Sequence, residues 1–557
     1  MSALGDSLRY LRGRGFEPLA ARRPARAFAG LLQCAKGPVP VRLTISDWDF
    51  LEYPQISLDQ PPAFLPPLLP HVDAHGDLCY FAPGSVTLDR YDPVAALAQC
   101  LDQATTVLSK IATDASYRHD DIQTEFAAHW ELGQRNEPWK VFLGTIDAKA
   151  SDAHYFKLRD PTQMQTRVLV CSHPPEAQRL AAAWGWTLIP SADRCWLLKT
   201  DKPPLVPQQM PTTVKALFQW LRSWDRQLAT TLQNVLGEPQ YLKQKFITFA
   251  IDTPVGWIGL GFDLDQMKRL GYQRAPKLFR NFLHNAGGGK ALFRMRLRQI
   301  GGDFVHNRNL TYRDLSGKRV TVVGCGAIGS FAASALVRLG AGSGKKGCLR
   351  LIDPDELNPE NLGRHTLGYP ALLQHKATAL RDELRRQFPH SEIVSDARSA
   401  FDANQLFAAD LIVDATGEES VSELINGLRL ERALSLPVLH VWIRGNGEAV
   451  QALWAEGNEH ACYRCLVVPD LKIHRRERIP LLKTIPERRM DGCRSYTPYA
   501  VSAPMHAAAL AADMICDWLQ GDPAPRFRTR ARENADVFGA KNQDLTPIKG
   551  CPACGQL

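Results

Sequence analysis

Two cysteines in distant parts of this chain lie in surroundings that suit a reactive thiol. Cys79 ends the segment PHVDAHGDLC after a proline-rich approach, and Cys493 lies in RRMDGCRSYTPY. Positive neighbours lower the pKa of a thiol and favour the nucleophilic thiolate, and three arginines are close to Cys493 in sequence. Because a thiolate can take up an acyl group as a thioester, each cysteine is a candidate nucleophile. An ordinary loop cysteine is the alternative for both.

A glycine-rich turn, GCGAIG, begins at Gly324 between these two cysteines. It follows the apolar segment KRVTVV and opens a helical pattern, which is the context of a nucleotide-binding turn. Gly324 permits the tight turn, Gly326 lets the backbone approach a phosphate, and Gly329 lets the helix pack closely on the strand. The helix N-terminus offers unpaired N–H groups to phosphate oxygens. The turn therefore predicts a nucleotide site.

Charged residues after the later strand patterns indicate which nucleotide binds. Asp353 ends the segment LRLID and would suit a ribose, as in a dinucleotide dehydrogenase. Arg364 and Lys376 follow it, and two cations there suit the β and γ phosphates of ATP, whereas NAD has no γ phosphate. Asp414 ends the segment DLIVD and would suit Mg²⁺. We therefore expect ATP and Mg²⁺, with surface charge as the alternative for either cation alone.

Four further cysteines form two CxxC pairs, Cys462 with Cys465 and Cys551 with Cys554. Four thiolates suit a structural, tetrahedral Zn²⁺ site. The two pairs lie further apart in sequence than those of a zinc ribbon, so two unrelated buried pairs are the alternative.

Length and composition limit the class of protein. A chain of 557 residues is too long for one hydrophobic core, so we expect several domains. A net charge of +9 is mild for this length, and without an aromatic-interleaved basic stripe a nucleic-acid partner is not expected. The N-terminal segment does not resemble a signal peptide, and the chain has no apolar run of about 20 residues that would span a bilayer. We expect a cytoplasmic protein with reduced thiols and no membrane partner.

Three segments differ in their patterns. Residues 1–117 combine an opening helix, two strands around Lys36-Gly37 and a helix after Asp92, which predicts an α+β domain. Residues 118–295 contain strand patterns and one long amphipathic helix from Thr212 to Leu236, which predicts an α+β or α/β middle domain. Residues 296–557 alternate strands with helices, which predicts an α/β domain with a doubly wound, mostly parallel sheet.

From about Arg296 onward the chain resembles the ThiF/MoeB and ubiquitin-activating enzyme superfamily, through GCGAIG, DPDELNPENLGRH, HKA and DATG. The resemblance implies a Rossmann-like adenylation domain in which Asp353 binds the ribose and Asp414 holds Mg²⁺. It implies that three residues bind phosphates, namely Asn361, Arg364 and Lys376. It also implies a homodimer in which Arg298 reaches into the neighbouring subunit's ATP site. His365, where glutamine is usual, and Gly417 depart from the pattern.

The same resemblance suggests roles for the C-terminal cysteines. Superfamily members carry two pairs similar to CYRC and CPACG, which implies a zinc site formed by Cys462, Cys465, Cys551 and Cys554. Ubiquitin-activating enzymes keep their thioester cysteine in a mobile segment, often before a threonine and a proline. Cys493, followed by Thr497 and Pro498, resembles that arrangement.

The region around Cys79 resembles the ubiquitin-conjugating fold, through YPQISLDQPP, LPH and Gly76 in that order. The resemblance implies that Cys79 is the acceptor thiol of a conjugating-like domain. His71 stands where that family has an asparagine that stabilises an oxyanion, and an imidazole N–H can do the same.

The order of the two resemblances is similar to that of the fused CD-NTase-associated enzymes of type II CBASS anti-phage operons. It implies ATP-dependent activation of the C-terminal carboxylate of a protein partner, either a CD-NTase or a ubiquitin-like protein. Transfer through Cys493 and Cys79 to a target lysine would follow. The alternatives are a sulfur-carrier-activating adenylyltransferase without conjugation, an NAD-dependent oxidoreductase and, least favoured, a non-enzymatic scaffold.

Overall fold

The structure is a computed structural model, and it describes residues 3–21, 25–73, 75–132, 140–162, 166–189, 193–238, 244, 246–263, 271–272, 275–402, 405–472, 474–492, 494–539 and 541–555. The chain folds into two compact units. The first is formed by Met1–Ser172 with Ile189–Arg298, and the second by His173–Leu188 with Gln299–Leu557. The predicted boundary after residue 117 falls inside the helix Ala115–Thr124, and the boundary after residue 295 falls inside the strand Phe293–Gln299. The division into three domains stays a prediction.

The described strands are, in chain order, β1 (Glu17–Leu19), β2 (Arg26–Cys34), β3 (Gly37–Ile45), β4 (Gln55–Ser57), β5 (Val141–Leu143), β6 (Asp152–Arg159), β7 (Thr166–Cys171), β8 (Thr187–Ile189), β9 (Arg194–Lys199), β10 (Phe246–Thr253), β11 (Gly256–Asp263), β12 (Phe293–Gln299), β13 (Arg319–Val323), β14 (Cys348–Ile352), β15 (Ile393–Asp396), β16 (Leu411–Asp414), β17 (Val438–Arg444), β18 (Ala449–Ala455), β19 (Val467–Asp470), β20 (His474–Glu477), β21 (Arg489–Asp491), β22 (Arg494–Tyr496) and β23 (Phe527–Ala531). The described α-helices are Ala3–Gly13, Pro93–Thr113, Ala115–Thr124, Phe126–Glu131, Pro174–Trp184, Val214–Trp224, Arg226–Val235, Pro276–His284, Gly302–Asn307, Ala327–Arg338, Lys376–Gln387, Glu419–Glu431 and Ser502–Leu519.

The N-terminal part of the first unit is built on an antiparallel sheet with the order β1-β2-β3-β4. β2 and β3 form the predicted hairpin, and its last pair joins Cys34 to Gly37. The helix Pro93–Thr113 begins as predicted at Asp92, whose side chain accepts a hydrogen bond from the Ala95 N–H. Such a cap satisfies a backbone donor that the first helical turn leaves without a partner.

The middle part of the first unit contains a second sheet, which runs from β7 through β5, β12, β11, β10 and β9 to β6. Two helices, Val214–Trp224 and Arg226–Val235, replace the single long helix that the sequence predicted. The prediction was wrong because Asp225 is extended, with φ −146° and ψ 107°. Its side chain accepts the N–H groups of Gln227 and Leu228 and so starts a new helix.

The second unit is built on a seven-stranded sheet with the order β15-β14-β13-β16-β17-β18-β23. The five strands β15, β14, β13, β16 and β17 are parallel to one another. β18 is antiparallel to β17, and β23 is antiparallel to β18, so β23 runs in the same direction as the five parallel strands. This arrangement is the predicted doubly wound, mostly parallel sheet of a Rossmann-like domain. Along the chain, β14 and β15 extend the sheet on one side of β13. The chain then crosses to the other side of β13, where β16 and β17 follow. The carboxyl ends of β13 and β16 therefore border the crevice where such sheets usually bind ligands.

None of the helices in the described part of the chain is long and apolar enough to cross a membrane. The cytoplasmic location stays a prediction.

Candidate active sites

The glycine turn follows β13 and leads into the helix Ala327–Arg338. Gly324 has a φ of +84°, and a Cβ there would lie 2.9 Å from the backbone nitrogen of Thr416, in the loop after β16. A Cβ at Gly329 would lie 1.7 Å from the carbonyl oxygen of Gly324, so helix and turn pack too closely for any side chain. Gly326 instead borders open space, which leaves room for a ligand beside its backbone.

Asp353, which follows β14, is hydrogen-bonded to this turn. Its Oδ2 accepts the Cys325 N–H at 2.6 Å, and its Oδ1 accepts the Asp355 N–H at 2.8 Å. Burial raises the pKa of Asp353, although the hydrogen bond from Asp355 and the charge of Lys376 oppose that rise. The carboxylate is thus close to the turn and to a cation, and its ribose contact stays a prediction.

The three residues predicted to bind phosphates follow β14 in the chain. Lys376 is buried at the start of its helix, with Nζ 3.0 Å from the exposed Asp355 carboxylate. The Arg364 guanidinium lies 5.3 Å from the ring centre of Tyr499, in a cation–π contact. Asn361 lies in the 3-10 helix Pro359–Arg364, and its Oδ1 accepts the N–H of the capping residue Asn358 at 2.9 Å. The carboxylate that pairs with Lys376 is 67% exposed, so this ion pair is open to solvent on the Asp355 side.

His365, one of the departures from the superfamily pattern, also contacts the glycine turn. Its Nε2 donates to the carbonyl oxygen of Cys325 at 2.8 Å, and its Nδ1 accepts the Leu367 N–H at 3.0 Å. Burial lowers the pKa of His365. The neutral imidazole therefore supports the backbone of the turn.

Asp414, at the end of β16, is enclosed by hydrogen-bond donors and is 1% exposed. Its Oδ1 accepts the Thr416 N–H at 3.2 Å and the Thr416 hydroxyl at 2.7 Å. Its Oδ2 accepts the Ser422 hydroxyl and, at 2.7 Å, the Nδ1 of the buried His440. Burial raises the pKa of Asp414, but these hydrogen bonds outweigh it and the net shift is downward. A metal ion would have to displace one of the donors, so direct Mg²⁺ binding stays a prediction.

The two CxxC pairs come together in the second unit, as the sequence predicted. The Sγ of Cys462 lies 3.8 Å from that of Cys465 and 3.9 Å from that of Cys551, and the Sγ of Cys465 lies 3.5 Å from that of Cys554. A tetrahedral site with Zn–S bonds of about 2.3 Å has sulfurs about 3.8 Å apart. The four sulfurs therefore fit Zn²⁺, and none of these cysteines is in a disulfide.

In the first unit, Cys79 is exposed in a loop that runs beside β4. Its N–H donates to the carbonyl oxygen of His71 at 2.7 Å. Gly76 has a φ of +85°, and a Cβ there would lie 2.8 Å from the carbonyl oxygen of Leu58. The loop therefore needs glycine at this position to stay against the sheet and present the thiol.

His71 lies beside Cys79 in the fold and has a left-handed backbone, with a φ of +56°. Its Nε2 lies 2.7 Å from the hydroxyl oxygen of Tyr117 and 3.2 Å from the Oδ1 of Asp121. Both partners lie on the helix Ala115–Thr124. A strained residue held by two side chains is a common feature of functional sites.

Two more polar groups lie close to Asp121, because the ligand atoms of Asp121, Glu125 and His129 are all within 4.8 Å of one another. Glu125 precedes the helix Phe126–Glu131, and His129 lies buried on it. Burial raises the pKa of Cys79, and the negative charges of Glu125 and Asp121 raise it further. The surroundings of Cys79 are therefore acidic, opposite to the basic surroundings predicted for Cys493 from sequence.

The sequence analysis did not identify the acidic and histidine side chains around Asp121 as candidate site residues. Asp121, Glu125 and His129 recur at every fourth position in DIQTEFAAH, a spacing that places side chains on one helical face. This spacing is visible in the sequence and could have identified them.

Cys493 itself lies outside the described residues, between β21 and β22. Arg298 is exposed on β12, in the sheet of the first unit. The roles predicted for these two residues remain predictions.

Comparisons with known proteins agree with this division of sites. The ThiF family matches residues 296–549, and Prokaryotic E2 family B matches residues 26–138. The ATP-dependent ubiquitin transferase-like protein Cap2 of Pseudomonas aeruginosa (strain BWHPSA011 / Pa011) is 31% identical, over 99% of this chain and 99% of that one. The protein of the same name from Escherichia coli (strain TW11681) is 25% identical, over 93% of this chain and 92% of that one.

Among solved structures, a crystal structure of E. coli MccB with ATP is similar at a TM-score of 0.33 and 17% identity, over 46% of this chain and 68% of that chain. The two family matches confirm the expected pairing of an adenylation domain with a conjugating-like domain in an ATP-dependent enzyme. Because the similarity to the Pseudomonas protein extends over nearly all of both sequences, this chain belongs to the family of ATP-dependent ubiquitin transferase-like proteins.

Proposed function

We propose that this protein activates the C-terminal carboxylate of a protein partner with ATP, carries the acyl group on Cys493 and then on Cys79, and joins it to a target lysine. The observation that carries the proposal is the presence in one chain of an exposed thiol in a conjugating-type loop and a glycine turn at the switch point of a ThiF-family sheet.

In the first step, the partner's carboxylate oxygen attacks the α-phosphorus of ATP and pyrophosphate leaves. We assign the N–H groups of the glycine turn, Asn361, Arg364 and Lys376 to the phosphates and Asp353 to the ribose. Arg298 would contribute from a second subunit, in a homodimer. Mg²⁺ would neutralise phosphate charge, with Asp414 as its proposed ligand once a donor is displaced.

The acyl group then moves along two thiols. The Cys493 thiolate attacks the adenylate carbonyl and AMP leaves, after which the Cys79 thiolate attacks the new thioester and Cys493 leaves. A lysine amine finally attacks the Cys79 thioester, a C–N bond forms and the Cys79 thiolate leaves. We assign to a His71 N–H the stabilisation of the oxyanion in this last step.

The four clustered cysteines are assigned to structural Zn²⁺. Cys551 and Cys554 come from the C-terminal segment, and Cys462 and Cys465 from the loop after β18. Zinc would therefore tie the end of the chain to the domain, since metal-binding energy adds to the stability of the folded state.

The partner that we propose is a CD-NTase activated at its own C-terminus, in the setting of anti-phage defence. This choice depends on the resemblance to fused enzymes of type II CBASS. A ubiquitin-like protein is the other candidate. A sulfur-carrier-activating enzyme without conjugation remains the alternative function, and an inert Cys79 would favour it.

The test is a trap for the acyl intermediate. Tagged Cys79→Ser protein is incubated with ATP, Mg²⁺ and lysate of the native host, and adducts are mapped by mass spectrometry. We expect a partner joined through its C-terminal carboxyl to the hydroxyl introduced at position 79, and the adduct names the partner. Attachment at Cys493 alone would contradict the conjugating role. Cys516→Ser, at a half-buried cysteine, is the matched control and should leave transfer unchanged.

Two further variants test the order of the steps. Cys493→Ala should abolish loading of Cys79, whereas Cys79→Ala should leave ATP–pyrophosphate exchange intact. Loading of Cys79 in the Cys493→Ala protein would rule out the relay. Asp414→Ala should block exchange, and exchange that survives in this variant would rule out its metal role.

A further inference from the structure

The residues on either side of Cys493 form a small hairpin at the surface of the second unit. Its strands β21 and β22 pair with each other in a two-stranded sheet, with Arg489 opposite Tyr496. Met490 and Tyr496, one on each strand, are 69% and 42% exposed. An isolated two-stranded hairpin has marginal stability in water. The direction in which this hairpin projects therefore depends on how its two ends are held.

One side chain, that of Asn446, is hydrogen-bonded to both ends of this hairpin. Its Nδ2 donates to the carbonyl oxygen of Glu487 at 3.0 Å and to that of Pro498 at 2.9 Å. Its Oδ1 accepts the Glu487 N–H at 2.8 Å. Glu487 precedes β21 and Pro498 follows β22. The carboxamide thus uses both of its N–H donors and its oxygen to bridge the two ends.

Asn446 itself is held on a buried part of the domain. It lies in the turn between β17 and β18, and all seven residues of β18 are buried. Gly447, the next residue, has a φ of +90°, and a Cβ there would lie 3.1 Å from the Cβ of Ala503. Ala503 is buried at the start of the helix Ser502–Leu519. The turn therefore packs closely on this helix, and the hairpin ends are tied to a fixed support.

The second end of the hairpin lies next to a residue of the proposed nucleotide site. Tyr499 follows Pro498, and its ring centre lies 5.3 Å from the guanidinium of Arg364, which the proposed function assigns to the phosphates. A Cβ on Gly447 would lie 3.4 Å from the Cβ of Tyr499. The turn that bears Asn446, the end of the hairpin and a candidate phosphate ligand are therefore neighbours.

We propose that Asn446 is a positioning residue for the step that forms the Cys493 thioester. This inference deepens the proposed function and rests on it. In that step the Cys493 thiolate forms a C–S bond with the carbonyl carbon of the adenylate, and the C–O bond to AMP breaks. Reacting atoms must be held about 3–3.5 Å apart, and a misplacement of about 1 Å can cost about 100-fold in rate. Asn446 therefore affects the attack of the thiolate and leaves nucleotide binding unchanged.

The experiment separates attack by the thiol from occupancy of the nucleotide site. The probe is an adenosine 5′-vinylsulfonamide, an AMP analogue whose vinyl group stands where the adenylate has its acyl carbon. The Cys493 thiolate adds to the terminal vinyl carbon, a proton goes to the neighbouring carbon, and peptide mass spectrometry locates the thioether. In full-length Asn446→Ala protein, we expect a labelling rate at saturation about 10- to 100-fold lower than in wild type. The half-saturating concentration should stay within about twofold of wild type.

A second variant and two controls accompany this measurement. Asn446→Asp keeps the oxygen that accepts the Glu487 N–H but loses both donors, so it should label as slowly as Asn446→Ala. Asn307→Ala is the matched control, because the Asn307 amide donates to the Asp303 carbonyl oxygen within its own helix, and it should label at the wild-type rate. Alkylation of Cys493 by iodoacetamide, which needs no bound nucleotide, should be unchanged in all variants. A circular dichroism melt of each variant confirms that it is folded.

Three outcomes would overturn the inference. The first is a saturating rate that stays at the wild-type value in both Asn446 variants. The second is a loss that appears in the half-saturating concentration, which would assign Asn446 to nucleotide binding. The third is an equal loss with iodoacetamide, which would mean that Asn446 acts on the reactivity of the thiol. Failure of wild-type Cys493 to show labelling that ATP prevents would instead overturn the proposed relay together with this inference.

Discussion

Two aspartate–histidine pairs show how differently the two sites of this protein are built. In the second unit, Oδ2 of Asp414 lies 2.7 Å from Nδ1 of His440, and the two side chains are 1% and 0% exposed. In the first unit, Oδ1 of Asp121 lies 3.2 Å from Nε2 of His71, and these side chains are 19% and 25% exposed. Similar residue types thus form one enclosed pair and one open pair.

The hydrogen bonds of the enclosed pair hold the loop after β16, whereas the open pair leaves one carboxylate oxygen without a hydrogen-bond partner among the described residues. Each carboxylate oxygen of Asp414 accepts two hydrogen bonds. Two of the four donors belong to Thr416, which packs against Gly324. Asp121 instead has one buried oxygen without a partner among the described residues. The number of hydrogen bonds that each carboxylate accepts, rather than the residue type, therefore distinguishes the two aspartates.

The largest expected effect tests the enclosed pair. Asp414→Ala leaves His440 buried without its partner, and breaking a buried pair in this way costs about 3–5 kcal/mol. We expect the free energy of unfolding to fall by that amount in urea denaturation. Asp410→Ala is the control, because Asp410 pairs with Arg319 at the surface, where a pair contributes about 0–1 kcal/mol. Equal losses in the two variants would show that Asp414 is not structurally enclosed.

The next prediction concerns how the stability contributed by the Asp414–His440 pair changes with pH. The pKa of Asp414 is lowered in the folded state, because its hydrogen bonds outweigh the effect of burial. Its contribution to stability is therefore present above the aspartate pKa of the unfolded chain and is lost as the pH falls through the lower folded value. The difference in unfolding free energy between wild type and Asp414→Ala should stay constant around neutrality and shrink only in acid. If this difference already shrinks at pH values above the usual pKa range of aspartate, the expected pH dependence is contradicted.

The next effect tests the acidity of the open site. Removing negative charge beside Cys79 should lower the pKa of the thiol, so the double variant with Asp121→Asn and Glu125→Gln should react faster with iodoacetamide. We expect an increase of about 3- to 10-fold at neutral pH, which corresponds to one pKa unit or less. An unchanged alkylation rate would mean that the two carboxylates do not act on the thiol.

The last comparison removes one hydroxyl from beside each pair, and its smaller member is the smallest effect that we expect. Ser422→Ala removes a donor from the enclosed Asp414 and should cost about 1–3 kcal/mol, because the buried Oδ2 loses a partner. Tyr117→Phe removes the hydroxyl beside the partly exposed His71, where water can replace it, and should cost about 1 kcal/mol or less. Both values come from urea denaturation. A larger cost for Tyr117→Phe would reverse the distinction between the pairs.

Local patterns predicted the elements that depend on a few neighbouring residues. The Asp92 cap, the hairpin around Gly37 and the glycine turn after β13 all follow from short-range sterics and hydrogen bonds. The single helix predicted around Asp225 was wrong for a related reason. Apolar periodicity continues on both sides of Asp225, and only the observed cap shows that the helix restarts there.

The partners of the candidate residues were not predictable in the same way. His440 reads as one polar position in the apolar strand segment LPVLHVWI, and only the pairing of β16 with β17 brings it to Asp414. Asp121 and Glu125 lie beyond the segment that carries the conjugating-like pattern, and only the packing of their helices brings them to Cys79.

By itself, the sequence determined which residues could act as nucleophiles or bind phosphate and metal. These are the thiols, the glycine turn and the charged residues after the strands, and they can be identified because residue type and short spacing are local properties. Tertiary structure decided which carboxylate is enclosed and which is open, and which side chains from other segments surround each of them. Those outcomes depend on burial and on contacts between segments distant in the chain, and no local pattern specifies how many hydrogen bonds a side chain will finally receive.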